Sequence, residues 1–202
     1  MTFNGEWPTL LVRRRLPGFA QPNAGLAAII LEEEAREVDF TTRFHAQNFF
    51  GGEDPCVIWL KNQVDLTTSA LLRHSGIERP LSWRLFSWYN VNRRGDHHGP
   101  HTHPKSYLSG TYYVRVPPAP ANLDDPGARP GCISFYDPRT GANMITVGTE
   151  PDARAVHVVC PRDGALLMWP SPLQHYVHPN LSAEPRISIS FNVVMDGGTG
   201  IA

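Results

Sequence analysis

The chain has 202 residues, a formal net charge of −1 and a hydrophobic share of 41%. That length suits one domain with a substantial core, and a charge this close to zero gives no electrostatic case for a nucleic-acid partner. No apolar run approaches a membrane span and the N-terminus lacks a signal-peptide core, so a cytoplasmic location is expected. The cysteines, Cys56, Cys132 and Cys160, are odd in number and far apart. They predict buried thiols in a reducing compartment rather than a disulfide framework.

Residues 1–20 read as an extended lead-in, punctuated by Trp7-Pro8 and Pro17-Gly18. The basic run Arg13-Arg14-Arg15 reads as a solvated edge. Asn23 is expected to cap a helix whose apolar face carries Leu26, Ile29 and Ile30. Glu32-Glu33-Glu34 would lie on its wet side. Gly51-Gly52 and Asp54-Pro55 mark a loop. A second short helix is expected from about Asp65, carrying Leu66, Leu71 and Leu72 and stopping at Gly76.

From Pro80 the pattern changes from helical to alternating. Strands are predicted over Trp83–Asn92, Tyr107–Val116, Cys132–Tyr136, Met144–Val147, Ala155–Val159, Ala165–Trp169 and Arg186–Val194. The Pro-, Asp- and Gly-rich run 117–131 is an excursion loop, because strand-like sequence resumes after it. About eight short strands separated by turn residues predict a mainly β protein of sandwich or jelly-roll type. Helices in 1–80 would pack on one sheet of a core over 81–194, within a single domain 1–202.

The chemistry concentrates between Gly95 and Tyr113. This stretch holds His97, His98, His101 and His103, four of the nine histidines. If the chain is extended at His101-Thr102-His103, both imidazoles face one way and can share a metal ion. A third ligand is needed. His175 in PSPLQHYVHP is the candidate, with His178 as its competitor. Three imidazoles from two separate segments would cap one face of a metal and leave positions open. Arg186 and Ser188 share one face of the last strand, and a guanidinium fork with a neighbouring hydroxyl suits a carboxylate. Asp96 reads as a turn residue rather than a ligand.

The segments NVNRRGDHHGPHTHP (from Asn90), YLSGTYYVRVP (from Tyr107) and EPRISISFN (from Glu184) together resemble the 2OG-Fe(II) oxygenase family. The resemblance covers roughly 80–194. It implies a double-stranded β-helix, iron(II) as the metal, and 2-oxoglutarate and O2 as cosubstrates. It further implies oxidative decarboxylation to succinate and carbon dioxide, coupled to hydroxylation of a substrate. By position His101 and His175 match the two histidine ligands. Arg186 matches the residue that takes the distal carboxylate of 2-oxoglutarate, Ser188 its helper, and Asn92 a residue lining that pocket. Gly95 matches a glycine of the related prolyl hydroxylases. His103 is the departure, since most of the superfamily has Asp or Glu there. The substrate, small-molecule or peptidyl, is not written in the sequence, and long loops with aromatic surface would allow a homodimer. Two other readings stay open: a cupin-type metal enzyme, although Pro104–Leu108 lacks the expected glutamate, and a non-catalytic metal-binding module.

Overall fold

In the computed structural model, residues 9–36, 48–120, 125, 127–139 and 155–196 are described. Element order is β1 (Val12–Arg15), α1 (Ala20–Ala35), a short 3₁₀ turn (Phe49–Gly51) and α2 (Pro55–His74). The strands β2 (Trp83–Asn92), β3 (His98–His101), β4 (Leu108–Arg115), β5 (Ile133–Tyr136), β6 (Val156–Val159), β7 (Ala165–Pro170), β8 (His175–Val177) and β9 (Arg186–Met195) follow. They form a five-stranded sheet in the order β1-β7-β4-β9-β2 and a four-stranded sheet in the order β3-β8-β5-β6. Every pairing is antiparallel. The expected jelly roll with N-terminal helices on one sheet is what the chain forms.

The alternation of β9 explains the layering. Ile187, Ile189, Phe191 and Val193 are all fully buried in one core with Leu26 and Ile30 of α1 and Val57, Leu60 and Val64 of α2. Tyr112 and Val114 of β4 join that same core. The intervening residues of β9, Arg186, Ser188 and Ser190, belong to the lining of a cavity between the two sheets. A strand has period two, so one face of β9 packs the helices while the other furnishes the site. A second, smaller core between the sheets gathers Tyr113, Ile133, Phe135, Val159, Leu167, Trp169 and Leu173.

Both helices depart from expectation at their starts. Asn23 does not cap α1 but lies inside it, because its side chain is used sideways. Its Nδ2 donates to Val114 O at 2.6 Å and its Oδ1 accepts from Tyr112 OH at 2.5 Å, fastening the helix to β4. Helix α2 begins well before Asp65. Asp54 caps it, accepting from Cys56 N at 2.8 Å, and Pro55 occupies the first turn, where its missing N–H costs nothing. The Asp-Pro pair is therefore a helix start rather than part of a loop. Leu66, expected on the apolar face, is 59% exposed. The predicted stop at Gly76 holds. Ile77 N donates to Leu72 O, Gly76 N donates to Arg73 O, and Gly76 has φ +76°, a left-handed C-terminal cap.

The cysteine expectation fails. Cys132 and Cys160 form a disulfide. They flank the β5–β6 ladder, in which Ile133 pairs with Val159, so the next rung places the two sulfurs together. Cys56 alone is free. The cysteines therefore give no argument for a reducing compartment. No helix among the described residues is long and apolar enough to cross a membrane. The strand expected over Met144–Val147 lies outside the described residues, as does most of the excursion loop's middle, 121–124 and 126. The basic run is tied down rather than simply solvated: Arg14 donates to Thr67 and Gln63 of α2, and Arg15 to Asp163 O.

Candidate metal centre

His101 ends β3 and His175 opens β8, and the two are partners on one rung of that ladder. Their ring centroids are 4.2 Å apart. His103 lies just beyond β3 instead of within a strand with His101. Its backbone N donates to Ser171 O at 3.1 Å, which brings its ring to 5.1 Å from His101 and 5.2 Å from His175. One nitrogen from each of the three rings lies within 4.8 Å of the others. The local reason for this placement is the turn before β3. Gly95 takes φ +92° and donates to Asn180 O, while Asp96 accepts from Arg93 N at 2.8 Å, so Asp96 serves the turn as expected.

The rings are set up to present lone pairs. His101 Nδ1 lies 2.7 Å from Gly99 O and His175 Nδ1 lies 3.0 Å from Leu173 O. A carbonyl only accepts, so Nδ1 of each carries the hydrogen and Nε2 is left open, the tautomer a metal ligand needs. Burial holds His175 down at about 3 and His103 at about 4. His98, beside them, is likewise lowered to about 4, first by burial and then by the Arg186 cation. A neutral imidazole is a ligand, whereas an imidazolium is not. Trp88 packs on His103 and Trp169 on His175, with centroids 5.8 and 4.9 Å apart, which fixes the rings from outside.

His178, the competitor for the third position, is not part of the trio. Its ring Nε2 meets Ser134 Oγ at 2.7 Å, and its backbone carbonyl accepts from Arg186 Nη1 at 3.4 Å. Arg186 is 1% exposed and starts β9. Its Nη2 donates to Asn92 Oδ1 at 2.9 Å, and its Nε has no partner among the described residues. Both acceptors are neutral, so the guanidinium has no carboxylate of its own there. Ser188 stands across the β2–β9 ladder from Asn90 and lines the same cavity. Of the aromatic residues the sequence offers either as core or as pocket lining, Tyr107, Tyr112, Tyr113, Trp88 and Trp169, the cavity takes Tyr113, Trp88 and Trp169, and two of these bring polar groups. Tyr113, buried against Arg186, has its hydroxyl pushed up to about 12 by burial, with the cation pulling the other way. Trp169 Nε1 is a buried donor without a partner among the described residues. The ladder register could have flagged Tyr113, which pairs with Ser188. The lining contains no aspartate or glutamate among the described residues, and the enclosed space is narrow, about 30 Å³.

Two facing antiparallel sheets, a histidine trio held between them and a buried arginine at the start of the last strand define a metal-oxygenase type of double-stranded β-helix. The family described as "Putative 2OG-Fe(II) oxygenase" matches residues 86–192, more than half of the chain. The chain belongs to that family and is an iron(II)/2-oxoglutarate-dependent oxygenase by class. Among curated proteins, none matches it. Solved structures of the same fold include a Pseudomonas putida prolyl-4-hydroxylase, at 16% identity and TM-score 0.60 over 93% of this chain and 88% of that one. HygX from Streptomyces hygroscopicus, solved with nickel and 2-oxoglutarate, is similar at 11% identity and TM-score 0.61, covering 92% and 83%. A prolyl hydroxylase from Trichoplax adhaerens, solved with a hypoxia-inducible-factor peptide, is similar at 12% identity and TM-score 0.58, covering 91% and 83%.

Proposed function

We propose that His101, His103 and His175 hold one iron(II) ion and that Arg186 holds the far carboxylate of 2-oxoglutarate. The observation that carries this reading is the convergence of three imidazoles with a buried guanidinium whose Nε is unmet. The donor set suits the metal, since imidazole is a good ligand for iron and the trio covers one face only. When bound, the iron and 2-oxoglutarate supply the oxidising chemistry, with succinate and carbon dioxide as co-products.

The chain's own residues bind, orient and exclude. Asn92 and the His178 carbonyl each take one of the five N–H groups of Arg186, so Nε–H, which has no partner among the described residues, and a second hydrogen on each Nη are left for a carboxylate. Ser188 and Tyr113 lie beside it with hydroxyls to complete the pair. Trp88 and Trp169 shield the trio and keep its surroundings apolar, which favours neutral rings and strengthens polar contacts nearby. The cavity is tight, so entry of a dicarboxylate requires its lining to give. Histidine in place of a carboxylate at His103 leaves the centre one negative charge short of the common pattern. The reaction we assign is hydroxylation of a small-molecule or peptidyl substrate.

The test is iron-dependent succinate release from 2-oxoglutarate, together with metal analysis. Wild type is expected to bind one iron and to release succinate slowly even without a primary substrate. Arg186→Leu is expected to keep the iron and to lose 2-oxoglutarate affinity by about a hundredfold, the scale of a charged hydrogen-bonded pair. Unchanged affinity in that variant would overturn the assignment.

A further inference from the structure

Asn90 stands on the interior face of β2 between Trp88 and Asn92 and lines the cavity that holds the histidine trio and Arg186. It is 1% exposed. Its Nδ2 donates to Ser190 Oγ at 3.0 Å and, more weakly, to Ser188 Oγ at 3.4 Å. Its Oδ1 is buried and has no partner among the described residues. A buried acceptor left unmet costs about 1–3 kcal/mol, so native structures rarely keep one without a purpose.

The proposed contents of this cavity cannot answer it. The 2-oxoglutarate dianion carries two carboxylates and a keto oxygen, all acceptors, and O2 has no hydrogen to give. The other two unmet buried atoms of the lining, Arg186 Nε and Trp169 Nε1, are donors and suit that acceptor-rich cosubstrate. Asn90 Oδ1 needs the opposite partner. Charge narrows the choice further. Arg186 is a buried cation, the metal would add two more charges, and the described lining offers no carboxylate. Asp96 already accepts from Arg93 N and is not part of the lining. The larger cavity, about 420 Å³, bears Glu33, Glu53 and Asp54 but shares only Trp88 with this one.

We propose that Asn90 reads the primary substrate, accepting a hydrogen bond from a hydroxyl or amide N–H, and that this substrate is not a cation. The proposal rests on the oxygenase reading above and adds the substrate class to it. Asn90 is thereby a specificity-determining residue on the same face of the β2–β9 ladder as Asn92 and Arg186, two rungs along.

The test uses the full chain loaded with zinc(II) and 2-oxoglutarate, which is inert and suits heteronuclear NMR. The probes are lactamide, with O–H and N–H donors, its fully methylated counterpart 2-methoxy-N,N-dimethylpropanamide, and the alaninamide cation. Lactamide is expected to shift the side-chain amide signals of Asn90, identified by their loss in Asn90→Leu. The methylated amide and the cation are expected to bind at least about tenfold more weakly, the value of one hydrogen bond. Asn90→Leu should lower lactamide affinity by about tenfold while 2-oxoglutarate affinity stays within about threefold. Asn90→Asp, which can only accept, should retain lactamide affinity, read on the backbone amide signals of the cavity lining, and so guards against a mere folding defect. Equal binding of the methylated probe, undiminished lactamide affinity in Asn90→Leu, or no lactamide response in wild type would each overturn the proposal; the last would leave a bound water as the partner of Oδ1. Failure of the underlying reading looks different: wild type would neither bind 2-oxoglutarate nor release succinate with iron.

Discussion

Asn92 and Arg186 occupy one rung of the β2–β9 ladder, and their side chains meet there, Nη2 to Oδ1 at 2.9 Å. The contact holds a buried cation at the point where β9 begins. Asn180 in turn donates to Asn92 O at 2.9 Å, so the rung is braced from a third segment. Asn92→Leu removes the acceptor and lets the guanidinium swing. We expect a loss of about 1.5–3 kcal/mol in 2-oxoglutarate binding, about ten- to a hundredfold, with iron content unchanged. Anaerobic titration of the iron-loaded variant with 2-oxoglutarate checks this.

Metal content separates the trio from its neighbour. His101→Ala and His175→Ala each delete one nitrogen of the cluster. Both should purify with little iron, losing more than about a hundredfold in affinity. His178→Ala should keep full iron, because that ring bonds Ser134 and the Arg186 contact uses the backbone carbonyl. Elemental analysis of the three variants decides, and an iron-free His178→Ala protein would mean the wrong histidine had been placed in the trio.

The pH dependence of the metal-free protein follows from burial. His98, His103 and His175 are lowered from 6.5 to about 4, about 4 and about 3. Between 6.5 and those values the unfolded chain takes up protons that the folded chain refuses. Stability is therefore whole above about 6.5 and falls as pH drops toward 4, levelling only below the folded values. Urea midpoints measured in a chelator across that window should decline, and His103→Gln, which does not titrate, should show a shallower decline. A flat wild-type profile would contradict the burial of these rings.

Gly110 of β4 has no room for a side chain. A Cβ there would stand 2.3 Å from the Phe191 ring and 2.6 Å from Leu167 O. The second contact is backbone and cannot yield. Gly110→Ala should destabilise by about 1–3 kcal/mol through overpacking, seen as a lower thermal midpoint. Gly51→Ala, where nothing lies within 4 Å of the added carbon, is the matched control and should change little.

Much of this molecule was legible because its strands alternate. Trp83–Asn92 and Arg186 onward were predicted within a residue, since each buries one apolar face against helices and one polar face toward the site. The pairing of His101 with His175 was legible only as an expectation, because ladder register is a long-range fact that spacing in the chain does not encode. The start of α2 was hidden by Asp54-Pro55, a pair that opens a helix or a turn equally well by local chemistry. Asn23 misled for the opposite reason: a good capping residue was recruited to bind β4 instead. The disulfide escaped because only the β5–β6 register sets Cys132 beside Cys160, 28 residues on. Asn90 gave no signal at all in the sequence, for an unmet oxygen exists only in three dimensions.

That covalent link also has a practical side. It clasps β6, the outermost strand of the smaller sheet, to β5, which in turn pairs with β8 and so with the strand bearing His175. Thiol reductants of the kind routinely added with iron(II) would unfasten the hem of the barrel while leaving its iron-binding middle intact. Preparations made with and without them would differ first in how firmly that border holds, and only afterwards in catalysis.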